Sequence, residues 1–275
     1  MKFAFSSNAF RRHSLMDAIR AIACTGYRGI EIMADTPHAY PASITYRDIR
    51  QIRRALKMFD LEVSNINAFE LWALGDTYHP SWIEKEPALR KKRIDHTLMA
   101  IDLAEALDCP NISIEPGGPI DSTIADDPVG VFVDGLGKIL DRARRGGVRV
   151  LIEPEPGLLI ENSSQFLGLL KKLDTDVYGL NFDIGHFFCV GEDPVGLAPA
   201  LHNVTHHYHL EDIAPSHVHE HLLPGEGAIN IKEVLHSIDG TGYNGFVTVE
   251  LYPYEERPVE AARLAFEYLE SMELV

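Results

Sequence analysis

Eight short apolar, β-rich runs recur along the chain, and a helical pattern follows each one. The pattern predicts strands at Phe3 to Phe5, Gly29 to Met33, Leu61 to Ile66, Asn111 to Glu115, Val148 to Glu153, Tyr178 to Asp183, Thr205 to Leu210 and Phe246 to Leu251. Helices are predicted from Ser14, which opens Leu15-Met16-x-Ala18-Ile19 with Asp17 three residues on, and from Thr45, which stands in the same relation to Asp48. Both read as capping-box starts. Further periodic stretches run from about residue 88 to 107, 129 to 145, 164 to 173, 194 to 201, 231 to 238 and 258 to 269. Strict β-then-α alternation requires parallel strands, and eight of them close into a (β/α)8 barrel with no hydrogen-bonding edge left over. The rival, a doubly wound open sheet, would be favoured by a glycine-rich loop after the first strand, where this chain has Ser6-Ser7-Asn8-Ala9-Phe10. The expected architecture is therefore one α/β barrel domain spanning residues 1–275. A partial repeat, Thr25-Gly26-Tyr27-Arg28-Gly29 before the second strand and Thr241-Gly242-Tyr243-Asn244-Gly245 before the eighth, is accounted for by helix termination.

The surface chemistry narrows the class of partner. With 25 Lys+Arg against 41 Asp+Glu the formal net charge is −16, and no local basic patch stands out in the sequence, which argues against nucleic-acid and membrane-surface binding. Cys24, Cys109 and Cys189 are far apart and form no CxxC pair, so neither a disulfide framework nor a thiolate zinc site is expected. The N-terminus reaches Arg11 and Arg12 before any apolar signal segment forms, and no stretch approaches the ~18 apolar residues of a membrane span. These features predict a cytoplasmic protein that acts on a small molecule, and a homo-oligomer is compatible with them.

In an α/β barrel the active site is built at the C-terminal ends of the strands, so the polar residues that end the apolar runs carry the functional information. Strand four ends at Glu115, strand five at Glu153, strand six at Asp183, strand seven at His209 and strand eight at Glu250. Any one acid there reads as a helix cap or an ion-pair partner. Four acids and an imidazole at one apolar rim would repel and be poorly solvated unless protonated or bound to a cation. A divalent metal resolves the conflict. Glu155, on the same side of the Glu153-Pro154-Glu155-Pro156 segment, is a second candidate, whereas His206 and His207 read as packing residues.

Two local motifs add detail. In Asn181-Phe182-Asp183-Ile184-Gly185-His186 a carboxylate and an imidazole can both face the rim across a glycine-permitted turn. In His217-Val218-His219-Glu220-His221-Leu222-Leu223-Pro224-Gly225-Glu226-Gly227 the alternating histidines form either a solvated polar tract or a transition-metal ligand set. Phe69, Trp72, Phe187 and Phe188 are candidates for an apolar wall against a sugar, and Arg11, Arg12 or Arg257 for a phosphate clamp.

With these residues in hand the chain resembles the xylose isomerase-like TIM barrels, the superfamily of sugar phosphate isomerases and epimerases and of family-2 apurinic endonucleases. The likeness runs through Ile152-Glu153-Pro154, the Asp183-x-Gly-His186 turn, His209-Leu-Glu-Asp, the His221-Leu-Leu-Pro-Gly-Glu-Gly loop and Val249-Glu250-Leu251. The resemblance implies that Glu153, Asp183, His209 and Glu250 bind one divalent metal, namely manganese, cobalt, magnesium or zinc, and that Glu153 and Glu250 act as the acid/base pair. His186, His219 and His221 match a separate zinc of the endonuclease branch, which implies a second ion or a substrate contact. Where that branch has further zinc-binding histidines at the ends of strands three and four, this chain has Asn67 and Glu115; with Trp72 they are expected to face substrate instead.

The expected activity is that of a metal-dependent isomerase or epimerase on a small sugar, sugar phosphate or related polyhydroxy carbonyl compound, by proton transfer between two carboxylates. A metal-dependent hydrolase or lyase on the same barrel is the alternative, and a metal-binding pathway protein without isomerase activity is the third.

Overall fold

The computed structural model describes residues 1–272, so the last three residues of the expected 1–275 domain lie outside the described residues. Eight parallel strands close into a barrel in chain order: β1 (Lys2–Ser6), β2 (Gly29–Met33), β3 (Glu62–Asn67), β4 (Asn111–Ile114), β5 (Arg149–Ile152), β6 (Tyr178–Asp183), β7 (Thr205–Leu210) and β8 (Phe246–Val249). Around them run α1 (Leu15–Thr25), α2 (Tyr46–Phe59), α3 (Pro87–Ala106), α4 (Pro128–Gly146), α5 (Ser163–Leu170), α6 (Ile184–Cys189), α7 (Pro194–Leu201), α8 (Ile231–Gly240) and α9 (Pro258–Glu270). The short α6 is absent from the sequence reading, because six residues are too few to show a period. No helix among the described residues is long and apolar enough to cross a membrane.

The predicted helix starts fold as local chemistry dictates, with one difference. Thr45 and Asp48 form the full reciprocal box. At α1 the Ser14 hydroxyl accepts from the Asp17 N–H at 3.2 Å but also donates to Asp17 Oδ2 at 2.6 Å. The Asp17 carboxylate is shared between this hydroxyl and the Arg20 guanidinium instead of the Ser14 N–H, and only half of the box forms. Each helix turns its apolar face onto the outside of the barrel, where residues such as Ile22, Phe132, Phe166 and Ile238 are fully covered.

Two irregularities in the ladder set the barrel interior. Between β6 and β7 the register passes from Leu180↔Thr205 to Asn181↔His207, skipping His206, so Asp183 lies level with His209. A continuous register would set Asp183 beside Tyr208, whose ring packs outward on Phe182 and Tyr243. The bulge therefore puts the acid and the imidazole on the same inward side. A matching shift between β2 and β3 skips Ser64 and sets Glu31 level with Asn65.

Candidate metal centre

The residues that end the strands converge. Glu153, Asp183, His209 and Glu250 each offer a ligand atom, and those atoms lie within 4.8 Å of one another. Glu153 and Glu250 stand one residue beyond β5 and β8 yet continue the ladder through their N–H groups, which donate to Ile114 and Leu210. Backbone pairing thus holds the carboxylates where a loop would let them swing.

Each carboxylate is anchored by one oxygen. Glu153 Oε2 accepts from Asn181 Nδ2 at 2.8 Å, and its Oε1 is 2.9 Å from His209 Nδ1. Glu250 Oε1 accepts from Asn8 Nδ2 at 2.9 Å and Asn67 Nδ2 at 3.2 Å, and its Oε2 is 3.7 Å from His209 Nδ1. Asp183 Oδ1 caps α6 by accepting the His186 N–H at 2.7 Å. Its Oδ2, 3.7 Å from His209 Nδ1, is buried without a hydrogen-bond partner. An orphaned buried carboxylate oxygen facing two other acids and an imidazole fits a divalent cation, and the donor set of three carboxylates and one imidazole suits hard to borderline ions.

The electrostatics agree. Burial above all, with the charges of Glu153, Glu31 and Asp183, pushes Glu250 well above the usual carboxylate range against the pull of His209. Burial opposes the charge on Asp183 too, but the facing His186 and His209 outweigh it and hold Asp183 well below its usual value. Acids of one cluster driven in opposite directions mark a site whose negative charge must be offset by a proton or a cation.

Beside this group, His186, His219 and His221 converge through Nε2, at 2.9 Å between the first pair and 3.1 Å between the second. His186 Nδ1–H donates to the Pro154 carbonyl and His221 Nδ1–H to the Glu250 carbonyl, so both Nε2 atoms present lone pairs to the same point. Burial above all, with repulsion from His186, pushes His219 down to about 2 and His221 down to about 4, so both are neutral near pH 7, whereas against burial the nearby Asp183, Glu155 and Glu153 push His186 up, so that an ion bound there would take the place of its Nε2 proton. Three lone-pair donors fit a borderline ion such as zinc. The loop that carries two of them is tied down by Asp212, which accepts the N–H groups of Ile213, Gly225, Gly227 and Ile229. Gly185 is required in the facing turn, since a Cβ there would meet Glu211 Oε1 at 1.9 Å.

Glu153, Glu250 and the three imidazoles line a cavity of about 190 Å³, together with Asn8, Arg11, Asn67, Glu70, Tyr78 and Glu155, while Asp183 and His209 lie beneath its floor. A larger void of about 670 Å³ sits at the opposite mouth of the barrel, against Lys2, Arg53 and Lys57, and contains none of the strand-end acids.

Several expected placements differ. Glu115 does not line the cavity. It is fully buried 3.4 Å from Arg93, which also donates to the Pro80 and Phe69 carbonyls, so this pair ties β4 to α3. Asn67 does line the cavity, but its Nδ2 serves Glu31 and Glu250, which makes it a support for the carboxylates. Trp72 stands at the rim, 40% exposed, with the Arg11 guanidinium 4.5 Å above its ring. Of the proposed aromatic wall, Phe69 and Trp72 reach the cavity; Phe187 packs on Phe182 behind β6, and Phe188 stacks on His217. His217 is thereby kept out of the imidazole group. Arg12 pairs with Glu255 and Glu256, and Arg257 with Glu260, so of the three arginines only Arg11 reaches the cavity. His207, read as a packing residue, faces Glu31 inside the barrel at 3.6 Å.

Glu31 and Asn181 have roles that the strand-end rule passes over, whereas Glu155, the second candidate beside Glu153, does line the cavity. Glu31 had a signal: both faces of a barrel strand are buried, so an acid in the middle of Gly29-Ile-Glu-Ile-Met33 must find partners inside. Asn8 and Tyr252 sit in short 3-10 turns, Ser7–Phe10 and Tyr252–Tyr254, and Glu70 and Tyr78 in loops, where no period marks them.

The comparisons with known proteins point the same way. Inosose dehydratase of Lacticaseibacillus casei is 25% identical over 284 residues, covering 92% of this chain and 88% of that one. Fructoselysine 3-epimerase of Shigella flexneri is 24% identical over 276 residues, covering 97% and 96%. Among solved structures, IOLI protein with a binding zinc atom superposes with a TM-score of 0.81 at 19% identity, over 99% of this chain and 98% of that one. The family model described as xylose isomerase-like TIM barrel matches residues 19–272, the stretch that holds every strand-end ligand, and with the closed barrel it shows that this chain belongs to that family.

Proposed function

We propose that the protein is a metal-dependent isomerase or epimerase of a small polyhydroxylated carbonyl compound. One observation carries the reading: Glu153 and Glu250 border the same cavity, and each has one oxygen anchored by an amide while the other faces the ligand cluster. When bound, manganese, cobalt, magnesium or zinc would polarise a substrate carbonyl and its neighbouring hydroxyl, lowering the pKa of the C–H bond between them. Glu153 and Glu250 remove and return the proton, and three amides, Asn181 on Glu153 and Asn8 and Asn67 on Glu250, hold both acids in place. Phe69, Trp72 and Tyr252 border the cavity. Its small volume suits a compact substrate, and four lining carboxylates, Glu70, Glu153, Glu155 and Glu250, against Arg11 favour a neutral polyol over a phosphate ester. The imidazole triad is suited to hold a second ion or to orient the substrate.

The inosose dehydratase relatives support a second reading, a lyase. Proton removal beside the carbonyl is then followed by loss of the neighbouring hydroxyl as water, with an acid supplying the second proton. Glu155 meets that need: burial above all pushes it up to about 7, and Tyr78 donates to it at 2.7 Å. The test is metal-dependent incorporation of solvent deuterium into a panel of ketoses, with ultraviolet detection of enone products. Exchange into a substrate or epimer that keeps all its oxygens supports the first reading, and water loss moves the protein to the second. A panel with neither exchange nor elimination at saturating metal removes both.

A further inference from the structure

We infer that Glu31 is the positioning residue of the metal centre: it accepts a hydrogen bond from the Nε2–H of His209 and so turns the Nδ1 lone pair toward Glu153, Asp183 and Glu250. The inference rests on the metal reading above. A neutral imidazole carries one N–H, and its two ring nitrogens point in diverging directions. Nδ1 of His209 faces the three ligand carboxylates at 2.9, 3.7 and 3.7 Å, while Nε2 lies 2.7 Å from Glu31 Oε2 on the other side of the ring. Both ring nitrogens face carboxylates that can only accept, but a cation held by Glu153, Asp183 and Glu250 would take the place of a proton on Nδ1, whereas Glu31, with both oxygens engaged by donors, leaves Nε2 as the nitrogen that keeps its N–H.

Glu31 is not a spare ligand. It is fully buried, and both of its oxygens are committed: Oε1 accepts from Ser6 Oγ at 2.8 Å and Asn67 Nδ2 at 3.2 Å, and Oε2 accepts from Asn65 Nδ2 at 2.8 Å as well as from His209. Asn65 is oriented in turn by Asn111, whose Nδ2 donates to Asn65 Oδ1 at 2.7 Å. The β2–β3 bulge that sets Glu31 level with Asn65 makes this arrangement, so strand register on one side of the barrel fixes a ligand ring on the other. Carboxylates behind metal-binding histidines orient the ring and raise its basicity, and their loss usually weakens metal binding about 10- to 100-fold.

Two measurements test it. In zinc-loaded protein labelled with ¹⁵N-histidine, His209 should show a protonated Nε2 and an Nδ1 shifted by the ion; this needs no variant. In chelator competition, Glu31→Gln should weaken zinc and manganese about 10- to 100-fold with the number of ions unchanged, and Asp183→Ala serves as the ligand control. A protonated Nδ1 in the loaded wild type overturns the proposal, as does wild-type affinity in Glu31→Gln alongside loss in Asp183→Ala. If Asp183→Ala also binds as the wild type does, the metal reading itself is wrong.

Discussion

Glu250→Gln separates proton transfer from metal binding, and the structure says what it will cost. Glu250 Oε1 sits between two donors, Asn8 Nδ2 and Asn67 Nδ2, so a glutamine that keeps its oxygen toward the ligand cluster sets its own NH2 against both. Asn8 can relieve this by turning its amide over, because its Oδ1 has no partner and the turn exchanges one orphan atom for another. Asn67 retains its 3.2 Å bond to Glu31. The net loss is one hydrogen bond, about 1 kcal/mol, or a Tm lower by roughly 2–4 °C. The missing ligand charge should weaken metal binding, so the comparison is made at saturating metal. The amide cannot accept a proton at neutral pH, so exchange should fall about 10²–10⁴-fold. The assay is deuterium uptake from solvent into a ketose substrate, with ion content confirmed on the same sample. Near wild-type exchange in fully loaded Glu250→Gln would refute the two-carboxylate mechanism.

The ligand assignment predicts that Asp183→Ala and His209→Ala lose bound metal at non-saturating concentration by elemental analysis; retention in both variants would break it. For the imidazole triad, anomalous scattering at the zinc edge should reveal an ion between His186, His219 and His221. His219→Ala should remove that ion and leave the carboxylate site loaded, and an edge signal unchanged by the substitution would contradict this. Acid sensitivity has a local source in His96, fully buried with neither ring nitrogen bonded and pushed down to about 3 by burial first and then by Arg93. A folded pKa below the unfolded value of about 6.5 gives stability that is present above pH 6.5 and lost as pH falls toward 3, on the order of 1–2 kcal/mol between pH 6.5 and 5. Thermal unfolding of His96→Leu at those two pH values should show a smaller drop than the wild type, and an equal drop would place the sensitivity elsewhere.

The barrel was legible because its determinants are local. Alternating apolar runs and helix caps repeat within windows of a few residues, and an acid that ends an apolar run marks a strand terminus whatever lies far away in the chain. That is why Glu153, Asp183, His209 and Glu250 could be named from their neighbours. What chain-local patterns cannot contain is register. The residue skipped at His206 decides whether Asp183 lies beside His209 or beside Tyr208, and that choice is made by packing across two strands. The same limit hid Glu31, whose partners Ser6, Asn65, Asn67 and His209 come from three other strands. Glu115 went the other way: it ends an apolar run like the rest, yet Arg93, reaching in from α3, claims it as a buried ion pair. The histidines of the last long loop show the division most plainly. His217, His219 and His221 are equivalent in sequence, and only the folded loop, gathered by Asp212, turns the latter two toward His186 while His217 stacks on Phe188. Local spacing selects elements and their ends, whereas the identity of a site residue depends on which side chains long-range packing brings within bonding distance.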